Sequence, residues 1–316
     1  MLCAQQRAKS TPRAAQRVDD LVCLLRTPQD NQTRSRALER LAELCTESKD
    51  AKSTRDHAVV DTNANKAVES GVFGTIVELM KEDNSPTAEM IKAAVRALFN
   101  LTVGAETEAL ERKQKAVDAG VLSAVVSTMD HDNHVRIHHV TFKQFREDAL
   151  ALFSAIAVGL DEKATARKEQ IVECGALEKI SAIMTTAGPQ ELAGCCSSIQ
   201  HIVVGIAPLQ QRAAGLDMIE ATVKFFRAYA LERKARHGIT SELLVSGCRA
   251  LITLIEGNDE HANHRAATAK AANAIRAIES LLSETKKPLI DCDHIEEWTY
   301  LKDALAGAPA GRREVD

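Results

Sequence analysis

The chain has 316 residues, of which 45% are hydrophobic and 3% aromatic, and its formal net charge is −4. This weakly acidic chain, with one Trp and two Tyr, lacks the cationic field and the stacking side chains of nucleic-acid binders, so we expect no nucleic-acid partner. No apolar run approaches the roughly 18 residues that cross a bilayer, so we expect no membrane partner. Glycines (15) and prolines (7) are sparse and lie mostly between apolar segments, which favours an all-α chain.

The N-terminal residues 1–17 contain four basic residues and no acid. We interpret them as a short disordered leader, in preference to an organelle transit peptide of similar composition. Residues 18–61 follow as a degenerate capping repeat. Its two apolar stripes, ending at Leu25 and Leu44, flank the break Thr27-Pro28, and the polar residues 47–64 predict a loop that runs into the next helix.

The chain then repeats a phrase in which a helical segment ends at a glycine and apolar residues resume behind it. A residue without Cβ takes the left-handed conformation that ends many helices, so these glycines predict structural turns. The four repeat glycines are Gly71, Gly120, Gly175 and Gly215. A fifth copy carries Asn273 in the glycine position, and asparagine is the next best residue for that backbone.

A second phrase, typified by Ala97-Leu98-Phe99-Asn100-Leu101, follows each of the four glycines and recurs near residues 151–154, 198–202 and 250–254. Each unit therefore predicts a short helix that ends at the glycine, a second helix, and a third helix that carries the second phrase. Self-similarity at this period is typical of a solenoid, in which no unit buries its apolar face alone.

The two phrases resemble those of armadillo repeats over about residues 62–282. The resemblance implies an all-α, right-handed α-solenoid (superhelix) of about five three-helix repeats. We expect this repeat domain to span residues 62–305 and to end in a capping helix at Ile295 to Leu305, before a polar tail at 306–316.

In the armadillo family the third helices line a concave groove, and the asparagine of A-L-x-N-L holds the backbone of an extended peptide. By position, this slot contains Asn100, then Ser154 or Ala155, because that unit carries one extra residue before its glycine. Nuclear-import members place tryptophans one turn earlier; none occurs here, so we do not expect nuclear-localisation peptides to bind. The expected partner-binding row is polar, mildly basic and solvent-facing: Arg96, Asn100, Ser154, Ser197, His201, Arg249 and Thr253. The alternative is that these are ordinary exposed positions and that Asn100 bonds to neighbouring backbone.

Four histidines crowd the segment from His131 to His139, in an insertion between two helices. Their spacing would supply two or three zinc ligands on a helix, but apolar residues interleave them and no cysteine lies near. We favour a solvated loop and expect no bound metal. The pair Cys195-Cys196 lies on a predicted third helix, which is typical of packing, and no C-x-x-C pair occurs. This cysteine usage favours a reducing compartment, so we expect the cytoplasm and leave the nucleus open as a second location.

No phosphate-binding glycine loop, G-x-S-x-G, H-E-x-x-H or kinase motif occurs, so we expect no catalysis, cofactor or small-molecule substrate. The sequence predicts a protein-interaction scaffold or adaptor that binds a protein or peptide partner along the groove. The His131–His139 loop and the basic stretch Arg233 to His237 are expected to extend this surface at its rim. The alternative is a regulator or chaperone-like factor that cradles a folded client, such as a small GTPase or a tubulin-like protein.

Overall fold

The computed structural model describes residues 11–27, 29–46, 54–81, 86–130, 139–159, 161–235, 241–257, 259–283, 299–302 and 305. Over these ranges the chain forms helices and no strand, as its composition predicts. It divides into two compact units, an N-terminal unit of residues 1–174 and a C-terminal unit of residues 175–316. None of the helices in those ranges combines the length and the apolar character of a membrane span.

The N-terminal unit contains nine described helices: α1 (Thr11–Arg26), α2 (Asn31–Leu44), α3 (Thr54–Glu69), α4 (Val72–Lys81), α5 (Ala88–Thr102), α6 (Thr107–Asp118), α7 (Val121–Asp130), α8 (His139–Ala157) and α9 (Glu162–Glu173). They form three rows of neighbours, with α3, α6 and α9 as first helices, α1, α4 and α7 as second helices, and α2, α5 and α8 as third helices. Each row packs side by side, so successive repeats bury one another's apolar faces.

The C-terminal unit continues the pattern with α10 (Ala176–Thr186), α11 (Pro189–Val203), α12 (Ala207–Ala214), α13 (Met218–Ala235), α14 (Ser241–Ile255), α15 (Glu260–Ala271) and α16 (Ala274–Ser283). Here α12 and α15 are neighbouring first helices, α10, α13 and α16 are second helices, and α11 and α14 are third helices. Of the expected C-terminal capping helix, residues 299–302 are described and helical, and Leu301 and Leu305 are fully buried.

The turns between first and second helices mostly use the predicted residues. Gly71, Gly120 and Gly175 have φ values of 74°, 80° and 92°, and Asn273 has φ 60°, all in the left-handed region. Gly215 was expected to do the same, but its φ is −67°. The left-handed residue of that repeat is Asp217, with φ 58°, because α12 ends at Ala214 and the turn is one residue longer than in the other repeats.

Two helices begin earlier than the sequence predicts. Helix α1 begins at Thr11, inside the stretch assigned to a leader, and α3 begins at Thr54, where a loop over 47–64 was expected. The buried residues assigned in α3 lie in its second half, at Asn63, Ala64, Ala67 and Val68. The first residues of the helix, Thr54 to His57, are polar, so the sequence there contains no apolar period that would predict where the helix begins.

Several expected features lie outside the described residues. These are residues 1–10 of the expected leader, the histidine segment at 131–138, the end of the basic stretch at 236–237, the first residues of the capping helix at 295–298, and the polar tail at 306–316.

Candidate interaction surface

The register of the third helices is fixed by a repeated contact from the first helices. Nε of Arg112 donates to the carbonyl of Leu101 at 2.9 Å, and Nε of Arg265 donates to that of Leu254 at 2.6 Å. In both cases donor and acceptor are eleven residues apart. Leu101 and Leu254 therefore occupy the same position, which makes Asn100 equivalent to Thr253.

The same contact corrects the expected slot residue in α8. Nε of Arg167 donates to the carbonyl of Ile156 at 3.1 Å, again eleven residues away. The slot residue before Ile156 is Ala155, so Ser154 lies one position out of register. The hydroxyl of Ser154 donates to the carbonyl of Leu150 at 3.0 Å, within its own helix.

Asn100 does not face solvent as expected, since it is only 8% exposed. Its amide nitrogen donates to the carbonyl of Ala42 at 3.0 Å and to the hydroxyl of Thr46 at 2.6 Å. These contacts lie at the carboxyl end of α2, where the carbonyl of Ala42 also accepts from the hydroxyl of Thr46 at 2.6 Å. Asn100 thus joins the third helices of two neighbouring repeats.

Arg96 lies one turn before Asn100 and is exposed on α5. It acts electrostatically on Asp148 of the neighbouring helix α8. Burial raises the pKa of Asp148, while Arg96 and Lys92 act in the opposite direction. The surface of α5 and α8 therefore carries charges of both signs, with Arg96 and Lys92 on α5 acting on Asp148 of α8.

In the C-terminal unit the expected row lies on α11 and α14, which pack side by side. Ser197 and His201 are half-buried on α11, and Arg249 is exposed on α14. Thr253 is only 5% exposed, contrary to the expected solvent-facing position. Its carbonyl accepts a hydrogen bond from the side-chain amide of Gln210 at 2.9 Å, so this position serves the contact between first and third helices.

The first helices contain buried arginines that were not predicted from the sequence. Arg112 is 3% exposed, and its guanidinium also bonds to Asn65 at 2.7 Å and Asp61 at 3.2 Å on α3. Arg167 is fully buried, and its two terminal nitrogens donate to the carboxylate of Asp161 at 2.9 and 2.7 Å. These bonds compensate the cost of burying a charge.

A sequence signal for these arginines exists. Arg112, Arg167 and Arg265 each lie eight residues before the left-handed residue of their repeat. In the same position of α3, Asn63 donates to the carbonyl of Leu44 at 3.0 Å. The eight-residue spacing is present in the sequence, but a basic residue in a polar helix ordinarily indicates a solvent-exposed face, so burial would not be predicted from it.

A second buried cation follows the first in the N-terminal unit. Nζ of Lys113 donates to the carbonyls of Gly104 at 2.6 Å and Val158 at 3.0 Å. Burial lowers the pKa of Lys113 to about 8. Lys113 thereby connects the carboxyl ends of α5 and α8.

The adjacent cysteines of α11 are packing residues. Cys195 and Cys196 are fully buried, and burial raises the pKa of the Cys196 thiol to about 12. A thiol in that state is protonated at neutral pH and is a poor nucleophile or metal ligand. Over the described residues no group of three His, Cys, Asp or Glu side chains is placed to hold a metal ion.

No protein-family model and no curated protein matches the chain. Among solved structures, a designed armadillo repeat protein superposes with a TM-score of 0.67 at 20% identity, covering 91% of this chain and 99% of that chain. Another, in complex with the peptide (KR)4, gives 0.66 at 20% identity with the same coverage. A structure from work on cadherin and beta-catenin gives 0.57 at 14% identity and covers 90% of this chain and 44% of that chain. The fold is therefore an armadillo-like helical-repeat solenoid.

Proposed function

We propose that the chain is a non-enzymatic protein-interaction scaffold or adaptor whose third helices bind a segment of a partner protein. The observation that carries this proposal is the recurrence of an exposed arginine at one position. Arg96 lies five residues before Leu101, and Arg249 lies five residues before Leu254, the two residues aligned by the buried arginines. Guanidinium groups form strong, directional hydrogen bonds to carboxylates, which suits them to recognise a partner.

The binding surface is defined for each unit by itself. In the N-terminal unit it consists of Arg96 and the exposed faces of α5 and α8; in the C-terminal unit it consists of Ser197, His201 and Arg249 on α11 and α14. Third helices that pack side by side within each unit suit an extended or helical segment that lies across them. Asn100 and Thr253 support this surface from inside.

The charge of these residues indicates the kind of segment. The designed armadillo protein that superposes on this chain was solved with (KR)4, a basic peptide. Here the recurrent exposed residue is itself an arginine, so a basic segment would meet like charge. We therefore infer a neutral or acidic segment, since opposite charges favour encounter and binding.

Affinity capture from the native cell with the variants Arg96→Glu and Arg249→Glu tests this proposal. We expect a partner to be lost about tenfold or more from at least one variant, because reversal of a recognition charge costs more than 1.4 kcal/mol. Lys115→Glu, an exposed lysine on the first helix α6, makes the same charge change elsewhere and should retain all partners.

Partners that bind both arginine variants as well as wild type would contradict the third-helix surface. That result would favour the cradling of a folded client, such as a small GTPase or a tubulin-like protein, through segments outside the third helices.

We also infer a reducing compartment such as the cytoplasm. This inference is supported by the six described cysteines, all of which are free thiols.

A further inference from the structure

A cavity of about 310 Å³ opens in the C-terminal unit between α13 and α16 and is lined by Arg227, Asn273, Arg276 and Ala277. Its volume falls at the lower end of the roughly 300–1,000 Å³ range of ligand pockets. Two arginines line one cavity, and both lie on second helices rather than on third helices. Nothing in the proposed scaffold function requires this arrangement.

One of the two arginines has a structural role. Nη2 of Arg227 donates to the carbonyl of Ala272 at 2.7 Å, directly before the left-handed residue Asn273. The first repeat shows the same contact, since Arg26 on α1 donates through Nη2 to the carbonyl of Ser70. An arginine on a second helix therefore caps the turn of the next repeat.

The other arginine, Arg276, is not needed by the turn. Its position, three residues after the left-handed residue, is occupied by Gly74 in the first repeat, where an added Cβ would meet nothing within 4 Å. The repeat with the turn at Asp217 has Glu220 there. In the part of the chain that the structure describes, Arg276 forms no ion pair or hydrogen bond, and the first turn of α16 contains no acid.

We propose that this cavity, the α13–α16 pocket, binds a phosphate dianion, either free phosphate or a phosphomonoester. A phosphate group carries about −1.5 to −2 charges at pH 7 and presents three acceptor oxygens. Two guanidinium groups match that charge and supply planar pairs of donors for its oxygens. A carboxylate would compensate only one of the two cations.

The test is a ³¹P NMR titration of the full chain with inorganic phosphate and, separately, with O-phosphoserine in a short peptide. We expect saturable binding with a dissociation constant on the order of 1 mM or tighter. Arg276→Glu should weaken it about tenfold or more. Lys224→Glu makes the same charge change on α13, at an exposed residue outside the cavity lining, and should bind as wild type does.

Binding of either probe with loss in Arg276→Glu supports the pocket, and the preferred probe identifies the source of the phosphate. Equal affinity of Arg276→Glu and wild type would overturn the proposal, as would no binding of either probe by wild type. A competing peptide with aspartate in place of phosphoserine should not displace the probe; equal competition would contradict a site for a dianion. Arg276 is exposed, so the variant should keep the wild-type thermal midpoint, which confirms that it is folded.

Discussion

The arginines of the first helices and those of the third helices differ in environment although they belong to the same repeats. Arg112, Arg167 and Arg265 are 3%, 0% and 1% exposed, and each donates to the last turn of a third helix. Arg96 and Arg249 are exposed on the third helices themselves. Burial, rather than residue type, therefore separates the arginines that hold repeats together from those that we propose to contact a partner.

The strongest test of this comparison removes a buried arginine. Arg167→Ala leaves Asp161 and the carbonyl of Ile156 without their donor. We expect a loss of about 3–5 kcal/mol in the free energy of unfolding, toward the lower end because the Asp161 side chain is 25% exposed. Urea denaturation measures it. Arg96→Ala should change the free energy of unfolding by no more than about 0.5 kcal/mol. Similar losses from both variants would contradict the distinction between buried first-helix arginines and exposed third-helix arginines.

A smaller effect is expected at Asn100, which lies on a third helix but is buried. Asn100→Ala removes the hydrogen bonds to the carbonyl of Ala42 and to the hydroxyl of Thr46. At about 0.5–1.5 kcal/mol for each bond, we expect a loss of about 1–3 kcal/mol in the free energy of unfolding. Thr128→Ala, which removes a bond to the carbonyl of Ala124 within its own helix α7, is the control and should lie within about 0.5 kcal/mol of wild type. An Asn100→Ala variant of wild-type stability that nevertheless loses a partner would instead assign Asn100 to the binding surface.

Two glycines in the turns between first and second helices differ in backbone conformation, and this difference can be tested by substitution. Gly120→Ala places a Cβ on a residue with φ 80° and should cost about 1–2 kcal/mol. Gly215→Ala acts at φ −67°, where alanine is unstrained, and should be neutral or stabilise the protein by about 0.4–1 kcal/mol. Thermal unfolding of the two variants measures both signs. Equal destabilisation would mean that Gly215, and not Asp217, is the left-handed residue.

The smallest expected effect concerns pH. The hydrogen bond from Arg167 lowers the pKa of Asp161 below its usual value. A carboxylate with a lowered folded pKa stabilises the protein fully above its unfolded pKa, about 3.9, and loses that contribution as the pH falls through the folded pKa. Asp161→Asn should therefore flatten the decline of the urea midpoint below about pH 4. An unchanged decline would show that other carboxylates cause it.

The C-terminal unit provides a contrast for that experiment. Arg265 bonds to the side-chain oxygens of Gln210 at 3.2 Å and Gln211 at 3.3 Å, which do not titrate. Both kinds of partner satisfy the guanidinium, so the position requires an acceptor but not a charge. We therefore expect the acid dependence to arise at Asp161 and not at Gln210 or Gln211.

The sequence predicted the features that depend on apolar period and on special backbone conformation. Leu98 and Leu101 are fully buried on a third helix, and Gly71 takes the left-handed conformation. The sequence does not distinguish Ser154 from Ala155 at the slot in α8, because one inserted residue cannot be located by pattern alone. Arg167 was not predicted because a basic residue in a polar helix ordinarily indicates a solvated face, and its recurrence eight residues before the left-handed residue does not by itself indicate burial.

The most direct test of the account is the chemical modification of arginines with phenylglyoxal, read by mass spectrometry, with and without a captured partner. We predict that Arg96 and Arg249 react in the free protein and that at least one becomes protected when the partner binds. Arg112, Arg167 and Arg265 should be unreactive in both states. The account would be contradicted if the first-helix arginines reacted, or if both third-helix arginines kept their full reactivity in the complex. Either result would mean that the buried arginines are not structural or that the exposed arginines do not contact the partner.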